Sequence, residues 1–192
     1  MLSWTLWLGL AALIFWGIGA YNRLIRLRVS ATKAFAALDE QLVRQLVWVQ
    51  GSLPESMRGD MQTGPAELQD DVTAAWARVH AASEQFAVAL AQTRTQPLDV
   101  VALAGLVMAH EALRTAWTGA LTDAVPADAV PSSERLQARW MRLLHQSMPL
   151  RTGFNDAAQV YNQAIGQFPA SLLARVFGFR SAGTITRLSE GR

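Results

Sequence analysis

Three histidines, His80, His110 and His145, have the widest chemical range of any side chains in this 192-residue chain, which contains no cysteine. Histidine ligates zinc and exchanges protons near neutral pH. His80 has Glu84 one helical turn further on, and Glu111 directly follows His110. An H-E-x-x-H zinc helix would need a second histidine at position 114, where Arg114 stands instead. The Glu-x-x-His pairs and extra inward glutamates of a helical di-metal centre are also missing. Satisfied or solvated histidines are therefore expected, with chance convergence on zinc as the alternative. Without cysteine there is no thiol nucleophile. No serine sits in a G-x-S-x-G turn, and no glycine run forms a phosphate loop. The carboxylate pairs Asp39–Glu40 and Asp70–Asp71 are adjacent, so a helix points their members to different faces. The expectation is a protein with no catalytic chemistry, no metal and no cofactor.

The elements that would position such residues begin with a membrane anchor. Met1 to Asn22 contains no charged side chain, and the next eleven residues bring Arg23, Arg26, Arg28 and Lys33. Leu2 to Ala20 is mostly apolar and, at about 1.5 Å per residue, matches a bilayer core. A cleaved secretory signal would place its basic residues before the apolar run and end on small residues, whereas Ile18-Gly19-Ala20 is bulky at its first position. Trp4, Trp7 and Trp16 lie towards the ends of the run, where indole favours the headgroup layer. The alternative is a buried core helix. Basic residues after the span put the amino terminus outside and the rest of the chain in the cytoplasm.

The remaining 170 or so residues are one domain in size. Hydrophobic residues make up 51% of the chain and the net charge is +2, too small for a nucleic-acid surface. All but Lys33 of the 17 basic residues are arginine, with no aromatic–basic interleaving of the kind that binds single strands.

Apolar residues after the anchor return every three or four positions, which predicts helices throughout. The first stripe is Leu24, Leu27, Ala31, Ala34, Leu38, Leu42, Leu46 and Val49; with no proline before Leu53, it continues the anchor as one rod until Gly51 and Pro54. Residues 51–64 read as a polar loop. A second stripe runs from Leu68 through Val72, Ala75, Val79, Ala82 and Phe86 to Ala89 or Leu90. Asp99 is placed to cap a third helix, whose near-continuous apolar run from Val100 to Ala109 predicts the most buried of the four, with a membrane-dipping segment as the alternative. After a loop between Pro126 and Pro131, a heptad-like stripe runs Leu136, Trp140, Leu143, Ser147, Leu150, Phe154, Ala157, Tyr161, Ile165 and Phe168, interrupted by Pro149.

The predicted fold is thus all-α: a transmembrane anchor over residues 1–21, an antiparallel up-down four-helix bundle over 22–168, and a short apolar and basic tail over 169–192. An even number of helices returns the chain to the lipid. The charges suit that arrangement, with Arg175, Arg180, Arg187 and Arg192 at the tail and Glu55, Asp60, Glu67, Asp70, Asp71, Asp123 and Asp128 at the other end, although solvated loops would look the same. Leu172, Leu173, Val176, Phe177 and Phe179 form an apolar patch that either lies in the lipid interface or folds back onto the bundle.

Three blocks of this sequence resemble the LemA family. The first is Tyr21-Asn22-x-Leu24-Ile25-x-x-Arg28, directly after the anchor. It continues through Ala34-Phe35-x-x-Leu38-Asp39-x-Gln41-Leu42-x-Arg44. The others are Arg151-x-x-Phe154-Asn155 with Tyr161-Asn162-x-x-Ile165-x-x-Phe168-Pro169, and Leu173 followed by Phe177-Gly178-Phe179. The resemblance covers both ends and little of the middle. It departs at Gln45, where the family has a second basic residue, over Leu46–Ser56, and at Leu144 and His145, near where an E-N pair is expected. It implies a divergent member: a bacterial inner-membrane protein with an anchored helical bundle and no established enzymatic activity. Partners would be the bilayer and other membrane or envelope proteins, with no nucleic acid.

Phe154-Asn155 and Tyr161-Asn162 are seven positions apart and so share a helix face. The expectation is that these pairs lock the last helix to the first near Tyr21-Asn22, a buried amide demanding a partner; core aromatics flanked by solvated amides is the other reading. Two functions follow. One is an interaction scaffold that presents the 51–64 loop and the acidic end to partners. The other is a ligand-sensing bundle, with Trp76, Phe86, Trp117 and Trp140 lining a cavity and His80 or His110 orienting a small molecule.

Overall fold

In a computed structural model of the chain, residues 2–53, 71–123 and 130–185 are described, and among them there are five helices and no strand. The predicted loop at 51–64 beyond Leu53, Leu68, the Pro126 turn, the acids at 55–70 and residues 186–192 lie outside the described residues.

Helix α1 (Leu2–Ser52) is one uninterrupted helix of 51 residues, about 77 Å long. Its two parts differ in what covers them. No described side chain before Leu24 is buried, and Trp4, Trp7, Leu13, Phe15 and Ile18 are all exposed. From Leu24 onwards Ala31, Phe35, Leu38, Leu42, Leu46 and Val49 are buried at steps of three, four or seven, the spacing of a helix seam. The leading part of α1 is long and apolar enough to cross a membrane.

Helices α2 (Asp71–Thr95) and α3 (Val100–Asp123) pack along each other, and α1 packs along α4 (Val130–Gly166). Pro97 stops α2, and Asp99 then caps α3 as expected, its Oδ2 accepting the Ala102 N–H at 2.9 Å. Partners on α1 and α4 run in opposite order: Leu24 clusters with Ala164, Phe35 meets Phe154, Gln45 meets Leu143 and Trp48 meets Trp140. Asp39 and Gln50 of α1 likewise meet Arg94 and Glu84 of α2. The Arg94–Asp39 contact is a two-oxygen hydrogen bond that raises the guanidinium pKa. Pro149 lies inside α4 without ending it.

Helix α3 departs from its sequence reading. Leu103, Leu106, Leu113 and Trp117 are buried, but Val100, Val101 and Met108 are exposed, Val101 at 78%. Alanine and glycine around them blur the helical period, so a continuous apolar run hides a one-sided helix. By length and composition α3 also passes for a membrane span, yet its other face is packed against α2. The α4 stripe slips as well: Ala158 is buried where Ala157 was expected, and Phe168 lies beyond the end of the helix, 81% exposed.

Candidate functional site

The histidines do not converge. His110 is fully buried on α3, His80 is half-buried on α2, and His145 is exposed on α4. Among the described residues no three histidine or acidic side chains could hold a metal ion. Glu111 pairs with Arg114 instead, and this hydrogen bond lowers the carboxyl pKa and raises that of the guanidinium.

His110 belongs to a buried polar layer that the sequence did not reveal. Its Nε2 lies 3.1 Å from Gln45 Oε1, and Gln45 Nε2 donates to the Leu143 carbonyl at 3.0 Å. Because that oxygen can only accept, Nε2 carries the ring proton and Nδ1 points an unpaired lone pair into the core. Burial pushes the His110 pKa down to about 4. Gln41 donates to the same Leu143 carbonyl and to Gln146. Gln45, the residue that replaces the LemA-like second basic position, therefore ties α1, α3 and α4 together.

Three of the four aromatics considered as a ligand cavity pack on one another, and the fourth, Phe86, packs on His110. Trp117 contacts Trp48, Trp76 and Trp140 at centroid distances of 5.0, 5.8 and 5.8 Å, and Phe86 meets His110 at 5.3 Å.

Of the motif residues on α4, Phe154 does meet Phe35 of α1, but the polar ones converge elsewhere. Asn162 Nδ2 donates to the Ala182 carbonyl at 2.8 Å, and its Oδ1 accepts the Ala182 N–H at 2.7 Å. Asn155 repeats the pattern on Ile185, with both bonds at 2.8 Å. Tyr161 Oη donates to the Arg180 carbonyl at 3.0 Å, and burial raises its phenol pKa against the opposing influence of Arg28. The expected lock between first and last helices is thus made only by the Phe154 ring, while both amides and the Tyr161 hydroxyl clasp segment 180–185, which belongs to no helix or strand. The two amides share one α4 face as the spacing predicts, and what they hold is non-local. Asn22 is exposed.

Between α4 and that segment the chain turns at Phe168-Pro169, forms the short helix α5 (Ala170–Val176) and swings round at Gly178, whose φ is +69°. Such a φ suits glycine, which has no Cβ to clash. Tyr21 meets Phe177 and Phe179 at 4.9 and 5.9 Å, where α1 enters the helical body. The predicted tail patch does two things at once. Ala174 is buried and Phe179 is partly so, packed on Leu24 and Ala164, whereas Phe168, Leu172, Val176 and Phe177 remain exposed. A crevice of about 350 Å³ lined by Trp16, Arg23, Phe168 and Pro169 adjoins them. Arg28 and Arg180 line another of about 780 Å³ together with Thr95 and Asp99. Of the remaining motif residues, Arg44 only pairs with Glu40 on the exposed face of α1.

No family model matches the chain, and neither the curated proteins nor the solved structures contain a significant match. The LemA resemblance accordingly rests on the motif residues alone.

Proposed function

We propose that this chain is a single-pass protein of the bacterial inner membrane whose bundle serves as an interaction scaffold without catalytic chemistry. The leading part of α1 crosses the bilayer with its amino terminus outside. The four long helices form an antiparallel up-down bundle in the cytoplasm, and α5 rests on the lipid beneath it. The observation that carries this reading is the exposed set Phe168, Leu172, Val176 and Phe177 on and around α5, of which Phe177 lies against Tyr21, where α1 passes from its exposed apolar part to its buried seam. Leu172 and Val176 are one turn apart on α5, so they face the same way. Arg175 and Arg180 flank them, the composition of an interfacial contact on anionic lipid. The LemA-like blocks support the same anchored-bundle reading.

Scaffolding is favoured over ligand sensing because the tryptophans that would line a ligand cavity occupy it themselves. A promiscuous biotin ligase fused to the carboxyl terminus tests the scaffold. The expected result is a reproducible set of envelope neighbours that disappears when residues 1–21 are deleted. Recovery of no reproducible neighbour, or the same set without the anchor, would contradict it.

A further inference from the structure

Arg28 on α1 and Arg180 beyond α5 line the same crevice of about 780 Å³. Neither guanidinium makes a hydrogen bond or an ion pair among the described residues, whereas those of Arg44, Arg94 and Arg114 are each paired with a carboxylate. Both arginines act on Tyr161, whose hydroxyl donates to the Arg180 carbonyl and whose phenol responds to the charge of Arg28. Arginine stays charged at any physiological pH, so the wall carries two positive charges against the single carboxylate of Asp99.

The rest of the wall sorts into donors and acceptors. Thr32 Oγ1 donates to the Arg28 carbonyl at 3.0 Å and Thr95 Oγ1 to the Gln92 carbonyl at 2.7 Å, so each offers only lone pairs to the crevice. Asp99 spends Oδ2 on the α3 cap and has Oδ1 left to accept. Ser181 is exposed there, and a hydroxyl can donate or accept. An anionic group with several acceptor oxygens suits the two guanidiniums, which bind phosphate through paired N–H groups. Thr32, Thr95 and Asp99 need the opposite, a neutral part that carries hydroxyl donors. A phosphate ester of a small polyol has both, and the volume is that of an ordinary small-molecule site.

We infer that this crevice is a binding site for a glycerol phosphate group, held by Arg28 and Arg180 through the phosphate and by Asp99 and the two threonines through the hydroxyls. Such a group exists both as a free ester and as the headgroup of an anionic lipid. Arg28 lies about 10 Å beyond Tyr21 along α1, within reach of a headgroup where α1 leaves a bilayer. A free ester reaches the crevice whether or not α1 crosses one, so the site stands independently of the anchored-bundle reading.

Isothermal titration of the full chain in an uncharged detergent tests it, with sn-glycerol phosphate, inorganic phosphate and dihexanoyl phosphatidylglycerol as probes. Glycerol phosphate is expected to bind saturably, at least fivefold more tightly than inorganic phosphate. Arg28→Gln and Arg180→Gln should each weaken it at least fivefold. Arg26→Gln, the same charge change at an exposed residue outside the crevice, should cost less than twofold. Asp99→Asn keeps the cap oxygen and should shrink the preference over inorganic phosphate to less than twofold. All three arginines are exposed, and circular dichroism checks that every variant retains its helicity. Tighter binding of phosphatidylglycerol than of glycerol phosphate would assign the site to a lipid headgroup, and equal or weaker binding to the free ester. The inference is overturned if neither glycerol compound saturates, or if inorganic phosphate binds as tightly as glycerol phosphate. It is also overturned if Arg26→Gln costs as much as Arg28→Gln, the mark of a diffuse basic surface.

Discussion

Trp117→Ala will lower the thermal midpoint of the protein by about 10 °C or more. Trp117 is completely buried and touches three other tryptophans contributed by α1, α2 and α4. Removing a buried indole forfeits its transfer free energy and leaves a cavity that rigid neighbours only partly fill, typically about 3–5 kcal/mol. For a domain of this size each kcal/mol shifts the midpoint by about 2–4 °C. Met108→Ala on the exposed side of α3 is the control: at 74% exposure it should move the midpoint by less than about 2 °C. Thermal scans of both variants in the same detergent check the contrast. Equal shifts would mean that α3 is not one-sided.

The second large effect is acid sensitivity seated at His110. Its pKa is pushed down to about 4 by burial, and the nearby Arg114 guanidinium acts in the same direction. The attraction of Glu111 opposes both. Above the ordinary histidine pKa of about 6.5 the ring is neutral in both folded and unfolded chains, and the full stability is present. As the pH falls from there towards 4 the unfolded chain takes up a proton that the folded one refuses. Stability is therefore lost at about 1.4 kcal/mol per pH unit, about 3 kcal/mol in all. His110→Gln keeps a hydrogen-bonding side chain beside Gln45 but cannot titrate. Denaturant melts from pH 7 to pH 5 should show a slope in the wild type that exceeds the variant's by about 2 kcal/mol over that range. Parallel slopes would place the ring in contact with water.

These two sites show where the sequence was legible and where it was not. The single rod of α1 could be read because its cause is local: no proline, and an apolar stripe that never loses phase from Leu24 to Val49. Asp99 as a cap was legible for the same reason. The shared face of Asn155 and Asn162 followed from helical spacing, but their partner did not, since Ala182 and Ile185 lie 20 and 30 residues away along the chain. The β-branched pair Thr184-Ile185 after Gly183 was the one hint that the helical pattern does not continue there. Gln45 and His110 are separated by 65 residues, and a lone glutamine in an apolar stripe does not announce what it will bond. The exposure of Val101 and Met108 was illegible because alanine and glycine sit as readily on either face of a helix.

Depth in the bilayer is the most direct test of the anchored bundle. The chain contains no cysteine, so single substitutions Leu13→Cys, Val176→Cys and Val47→Cys can each carry a nitroxide without further engineering. In full-length protein reconstituted into nanodiscs, the labels at Leu13 and Val176 should be relaxed more by dissolved oxygen than by a water-soluble nickel chelate, with Leu13 the deeper. The label at Val47 should show the reverse. A water-like response at Leu13 would remove the membrane span, and one at Val176 would lift the base of the bundle off the lipid.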